Sequence, residues 1–257
     1  MEATPKPIEP GGEMGLGAKL ANVFFSPAAT FESVARRPGW DWLVPVLLIL
    51  VLGVAGAFVI APKIDVDDAV RIQMERMEKA QPGMSGADRE RIEETSRKSM
   101  TAFTQGPLRF VGPVVGVVPV FLVPLFYLGV SAAWGKAGRY LAILGGYAWV
   151  QMVQVLKGIL MLAIGSTRDS IGIEEIEGLV KSNLGAFLDP GTASRPLFAL
   201  ASSVDVFEIW AVVLGSIALS KTTRLSPKGA AATVAGLWIV WILVRTGLAA
   251  VGSAFGG

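Results

Sequence analysis

Four stretches of this chain are too long and too apolar to sit in a soluble fold. They run over about residues 43–61, 108–134, 140–165 and 229–253, and a fifth, 197–220, is apolar apart from two carboxylates. Each meets or nearly meets the roughly 20 residues needed to cross about 30 Å of hydrocarbon. Lipid offers backbone groups no hydrogen-bond partners, so each span is expected to be helical. Only 17% of the residues are charged, against about 25% in ordinary globular domains. The fold class expected is therefore an all-α integral membrane protein, a bundle of five transmembrane helices.

The first span follows 42 mostly polar residues, too long a leader for a cleavable signal peptide, so it is read as retained. Orientation follows from basic residues in short loops. Loop 135–139 carries Lys136 and Arg139 without an acid, and loop 221–229 carries Lys221, Arg224 and Lys228, again without one. Arg36 and Arg37 precede the first span. With five spans these segments share one side, which places the N-terminus inside and the C-terminus outside. Loop 62–107 holds eight Lys/Arg but also nine Asp/Glu, and it is long enough to behave as a small domain. Trp40, Trp42 and Trp134 stand at span ends, where amphipathic rings favour the headgroup layer.

The segments between spans have patterns of their own. Residues 1–42 form a cytoplasmic tail with an amphipathic stretch in which Phe24, Phe25, Phe31 and Val34 alternate with polar residues. Ser26 can cap a helix there with Pro27 at its first position. That helix either lies on the cytoplasmic leaflet or packs against the base of the bundle. Loop 62–107 predicts an extracytoplasmic helical hairpin. Asp65 caps a first helix with Val66, Val70, Met74 and Met77 on one stripe, QPGMSGAD (81–88) breaks it, and Ser85 or Asp88 starts a second helix to about Thr104. The hairpin is either a solvated cap or a partner-binding surface, whose methionines would suit an adaptable contact. In loop 166–196, Ile173, Ile176, Val180, Leu184 and Phe187 recur at three- or four-residue spacing, which predicts an interfacial helix stopped by Asp189-Pro190-Gly191.

Composition excludes much chemistry. Without cysteine or histidine there is no disulfide, thiol nucleophile, Zn–Cys or Zn–His site, or Ser-His-Asp triad. A net charge of +2, scattered along the chain, offers nothing to nucleic acid. No phosphate-cradling glycine loop and no nucleophile–base pair is recognisable. The expectation is a protein that is not an enzyme and takes no cofactor or metal.

Two sets of residues carry the remaining signal. In RFVGPVVGVVPVFLVPLF (109–126), Pro113, Pro119 and Pro124 each remove a backbone donor, and Gly112 and Gly116 form a GxxxG pair that permits close helix approach. These features suit ordinary kinked packing or the broken helices of a transporter. Deep inside the spans lie four ionisable residues, Lys157, Asp205, Glu208 and Arg245. Asp205 and Glu208 share a helix face at i and i+3. All four fall about 12 to 16 Å from the outer ends of their spans, counted at 1.5 Å per residue. Two acids and two bases at one depth sum to zero, which predicts an internal ion-pair network that either holds helices together or marks a proton or substrate path.

LANVFFSPAATFESVARRPGW (20–40) before the first span, and PLFALASSVDVFEIWAVVLGSIALSKTTRLSPKGA (196–230), resemble bacterial proteins of the Yip domain family. In that family's fourth span an acid and a Phe precede a Trp, matched by Asp205, Phe207 and Trp210. The resemblance covers about residues 16 to 250. It implies five spans, a cytoplasmic N-terminus and a C-terminus on the far side. Two departures stand out. GGYAWVQMV (145–153) has Gln151 and Met152 where the family often has Pro, and the Asp-Leu-Tyr-Gly-Pro motif of eukaryotic members is missing. Eukaryotic members organise ER–Golgi traffic and bind small GTPases; some bacterial members accompany ABC-type export systems. The resemblance implies a non-enzymatic scaffold or accessory subunit in the bacterial cytoplasmic membrane, whose partners are lipid and other membrane proteins, including ABC-type transporter subunits. Homo-oligomerisation is left open. The rival is a small transporter or proton-coupled permease using Lys157, Asp205, Glu208 and Arg245.

Overall fold

The structure is a computed structural model that describes residues 14–81, 83–188 and 193–256. Among these residues it is helical, with no strand beyond two isolated β-bridges. The helices are α1 (Leu16–Phe25), α2 (Pro27–Arg36), α3 (Leu43–Val59), α4 (Val66–Ala80), α5 (Gly86–Thr104), α6 (Val111–Ala133), α7 (Tyr140–Val150), α8 (Met152–Ser166), α9 (Arg195–Ser203), α10 (Val206–Thr222) and α11 (Pro227–Gly256). Four helical stretches are long and apolar enough to cross a membrane: Trp40–Lys63, Pro107–Ala133, Tyr140–Ser166 and Pro227–Gly252. They coincide with four of the five expected spans to within three residues. Their outward faces carry large apolar side chains, Val51, Val114 and Leu243 each being about 60% exposed. Lipid is the solvent such faces fit.

The expected span 197–220 differs. The chain breaks at Val204–Asp205, so α9 and α10 replace one helix. At 17 residues, α10 covers about 25 Å and falls short of the length that defines the other four.

By contacts the chain divides into two compact units. One comprises residues 1–46, 119–152 and 212–235. Val23, Phe31 and Val34 of α1 and α2 are fully buried there, with Trp149 of α7 and Leu214 and Leu219 of α10. Pro27 does take the first position of α2, although the Ser26 side chain makes no cap bond. A Cβ on Gly145 would come within 2.8 Å of Val34 Cγ1, so α2 is pressed onto α7. The N-terminal helices are thus packed into protein on one side, with Lys19 paired to Asp41 beneath them. The two basic loops meet in this unit, where the Arg224 N–H donates to the Lys136 carbonyl at 3.1 Å. Glu32 lies between Arg36 (2.5 Å) and Lys221 (3.6 Å), and these cations hold its carboxyl below the usual carboxylate range.

The other unit comprises residues 47–118, 153–211 and 236–257. Its hairpin follows the expected plan. The Asp65 carboxylate accepts from Asp68 N–H to cap α4, and the Ser85 hydroxyl caps α5 through Asp88 N–H. Val70 and Met74 are buried, so the apolar stripe of α4 is largely spent inside the chain and offers little to a partner. The end of α8 is closed by Lys63, whose ammonium donates to the carbonyls of Gly165, Ser166 and Arg168 at 3.2, 2.8 and 2.7 Å. A cation there satisfies orphan carbonyls and meets the negative end of the helix dipole.

The interfacial helix expected in 166–196 does not form. Among the described residues that segment has two 3₁₀ turns, Ile173–Gly178 and Leu184–Phe187. The reason lies in where its backbone bonds go. Ile171 bridges Ile64, Leu184 N–H donates to the Val204 carbonyl, and the Ser182 carbonyl accepts from Val206 N–H. A segment committed to such long-range partners cannot also make i→i+4 bonds. The Asp189-Pro190-Gly191 stop lies outside the described residues.

Candidate functional site

The sequence SSVDVFE places a good N-cap residue, Asp205, three residues before Glu208. That spacing is the signature of a helix start. The structure uses it so. The Asp205 backbone carbonyl accepts the first bond of α10 from Ile209 N–H at 2.9 Å. Its carboxylate Oδ1 accepts from Phe207 N–H at 2.7 Å, satisfying one of the four donors that every helix N-terminus leaves free. Glu208 stands in the first turn of α10, where negative charge is favoured by the helix dipole.

The second oxygen of Asp205 ties this break to two other elements. Oδ2 accepts from Lys157 Nζ of α8 at 2.9 Å and from Ser182 Oγ at 2.7 Å. Asn183 forms an antiparallel bridge with Asp205, flanked by the 184–204 and 206–182 backbone bonds. Three hydrogen bonds, one of them also an ion pair, thus converge on one carboxylate, which is 1% exposed, while the Lys157 side chain keeps 27%. Charge-assisted bonds of this kind are the stronger class of protein hydrogen bond. Gly185 completes the packing, since a Cβ there would lie 2.2 Å from Ser202 Oγ and 3.1 Å from Ser202 Cα.

Of the four residues of the expected network, Lys157 pairs with Asp205, a choice of partner that the sequence leaves open. Glu208 instead accepts from Gln154 Nε2 of α8 at 3.0 Å. Gln154 was not singled out from sequence, although it lies three residues before Lys157 and so on the same helix face. Arg245 of α11 is half-exposed. Of the signature residues, Phe207 supplies its backbone N–H to the cap, and the side chains of Phe207 and Trp210 are half-buried.

Pro119 and Pro124 lie inside an unbroken α6, and Pro113 sits in its first turn, where a missing N–H costs nothing. Within the chain, a Cβ on Gly112 or Gly116 would meet nothing within 4 Å. Close approach of α3 to α6 occurs at Gly53 instead, where an added Cβ would lie 2.9 Å from the Pro113 Cβ. A GxxxG pattern marks faces able to approach closely, and in this chain a different glycine meets the neighbouring helix.

Comparison with known proteins places these features in context. The family model described as Yip1 domain matches residues 21–248, a stretch that takes in α10, its cap and the loop that holds it. No curated protein and no solved structure matches the chain.

Proposed function

Since this chain belongs to the Yip1 domain family, we propose that it is a non-enzymatic membrane scaffold or accessory subunit, with the Asp205–Lys157 cluster as a structural clamp. The observation that carries this reading is the state of Asp205. A relay carboxylate must exchange protons with a path, whereas this one is 1% exposed and already takes three donors. The rival transport reading would need that carboxylate to open. The protein acts by binding other membrane proteins, ABC-type export subunits among them, or by ordering nearby bilayer, in the bacterial cytoplasmic membrane. No catalytic step is assigned to it.

The same reading counts α10 as a fifth span. Near its C-terminus, Ala218 and Thr222 lie against Gly146 of α7; near its N-terminus, Asp205 and Glu208 bond to α8. These contacts with a membrane-spanning stretch are what supports counting it. Five spans put both basic loops on the cytoplasmic side and the hairpin and C-terminus outside. The chain has no cysteine, so single substitutions report cleanly. Lys136→Cys and Lys228→Cys are expected to react with an impermeant maleimide only in opened cells, and Arg91→Cys and Gly252→Cys in intact ones. Four spans would reverse Lys228→Cys and Gly252→Cys, and that pattern would refute the fifth.

Partner binding is tested by purification from native membranes in several mild detergents with mass spectrometry. At least one membrane protein is expected at near-stoichiometric yield. Recovery of the chain alone in every detergent would remove the accessory role.

A further inference from the structure

We infer that the groove between α3, the start of α6 and α8 binds one anionic phospholipid, with an acyl chain along the groove and the phosphate on Arg109. This stands apart from the proposed partner binding and does not depend on it. The groove has a volume of about 340 Å³, within the roughly 300–1,000 Å³ of small-molecule sites. Its walls are almost wholly apolar and include Ile49 and Gly56 of α3, Ile60 just beyond its end, and Gly158 and Met161 of α8. From Ile49 to Ile60 it follows α3 for about 16 Å, close to half of a hydrocarbon core about 30 Å thick. A groove one leaflet deep, opening sideways from membrane helices, has the dimensions of an acyl chain.

Arg109 sets the class of headgroup. It lines the groove two residues into the apolar stretch that begins at Pro107, the level of the headgroups. Its guanidinium lies 4.8 Å from the ring centre of Phe58 and 4.9 Å from that of Phe110. Rings on its flanks hold the cation by its quadrupole attraction while leaving its donors uncommitted. The buried Nε has no hydrogen-bond partner, and no carboxylate pairs with this guanidinium among the described residues. A buried donor without an acceptor is costly, and a phosphate offers paired acceptor oxygens that the planar guanidinium matches in a bidentate fork. Arg109, the charged residue that lines the groove, favours a lipid whose headgroup carries no compensating cation.

The test uses the purified chain in detergent, with phosphatidylglycerol and phosphatidylcholine of identical acyl chains as probes, followed by native mass spectrometry and by the unfolding midpoint. Wild type is expected to retain one phosphatidylglycerol and to gain several degrees from it, with weaker retention of phosphatidylcholine. Gly56→Leu places a side chain in the groove where a Cβ meets nothing within 4 Å, and leucine is a better helix former than glycine. It should keep the lipid-free midpoint and lose retention of both lipids several-fold. Arg109→Gln should retain the two lipids equally. Equal retention of both lipids by wild type would overturn the inference, as would undiminished phosphatidylglycerol binding by folded Gly56→Leu. A lipid-free dimer abolished by Gly56→Leu would assign the groove to a second copy and overturn it too.

Discussion

Asp205→Ala is expected to lower the unfolding midpoint of the detergent-solubilised protein by several degrees, corresponding to a loss of about 3–5 kcal/mol, the usual cost of stranding one partner of a buried ion pair. The substitution acts at three places together. Lys157 loses its described counter-charge, in a helix that has no other charged residue. Ser182 loses the acceptor that binds its loop to the head of α10. The Phe207 N–H becomes an unsatisfied donor at a helix N-terminus, a defect worth about 0.5–2 kcal/mol by itself. Asp205→Asn separates these effects. Asparagine caps helices about as well as aspartate, so the cap survives and only the charge is removed. Its loss should be clearly smaller than that of Asp205→Ala. Equal losses would mean that the ion pair carries the whole effect and that the cap carries none.

The second large effect is expected at Gly138, in the short basic loop before α7. A Cβ there would stand 2.0 Å from the Thr222 carbonyl oxygen and 3.1 Å from its carbon. Both are backbone atoms, and they belong to the end of α10, which cannot turn aside as a side-chain tip would. Gly138→Ala should therefore cost about 1–3 kcal/mol by forced backbone displacement, read as a lower midpoint and reduced yield of monodisperse protein. Gly112→Ala is the matched control, since its Cβ would meet nothing within 4 Å. It should be neutral or gain up to about 1 kcal/mol from helix propensity. The reverse ranking would show that the GxxxG pair, and not the contact at Gly138, holds helices of this chain together.

The four longest spans and the α4–α5 hairpin were legible because each depends on local or one-dimensional information. A run such as 43–61 is apolar over the thickness of a bilayer, and Asp65 and Ser85 cap helices three residues ahead. The break at Val204–Asp205 was not read correctly, because a hydropathy window treats a carboxylate as a cost and does not ask whether it caps. The spacing of Asp205 and Glu208 carried the information: acids at the N-cap and N3 positions ahead of an apolar run announce a helix start. Loop 166–196 misled for the opposite reason. Its apolar residues have helical spacing, yet Gly172, Gly178 and Gly185 weaken a helix there and its backbone groups find partners at Lys63, Val204 and Val206. Partners distant in sequence leave no periodic trace. Gln154, the groove beside α3 and the basic-loop contact Lys136–Arg224 were hidden likewise, each being a meeting of segments that only the fold brings together.

What separates a clamp from a pathway is whether Lys157 and Asp205 stabilise one another in the resting protein. A double-mutant cycle of Lys157→Met and Asp205→Asn, read from equilibrium unfolding in one detergent, measures that coupling. The clamp predicts a coupling energy within about 1–3 kcal/mol, with the double variant more stable than Asp205→Asn alone because the stranded cation is gone. Single losses that add to within about 0.5 kcal/mol would show that the pair does not hold the helices, and would contradict the structural role given to Asp205.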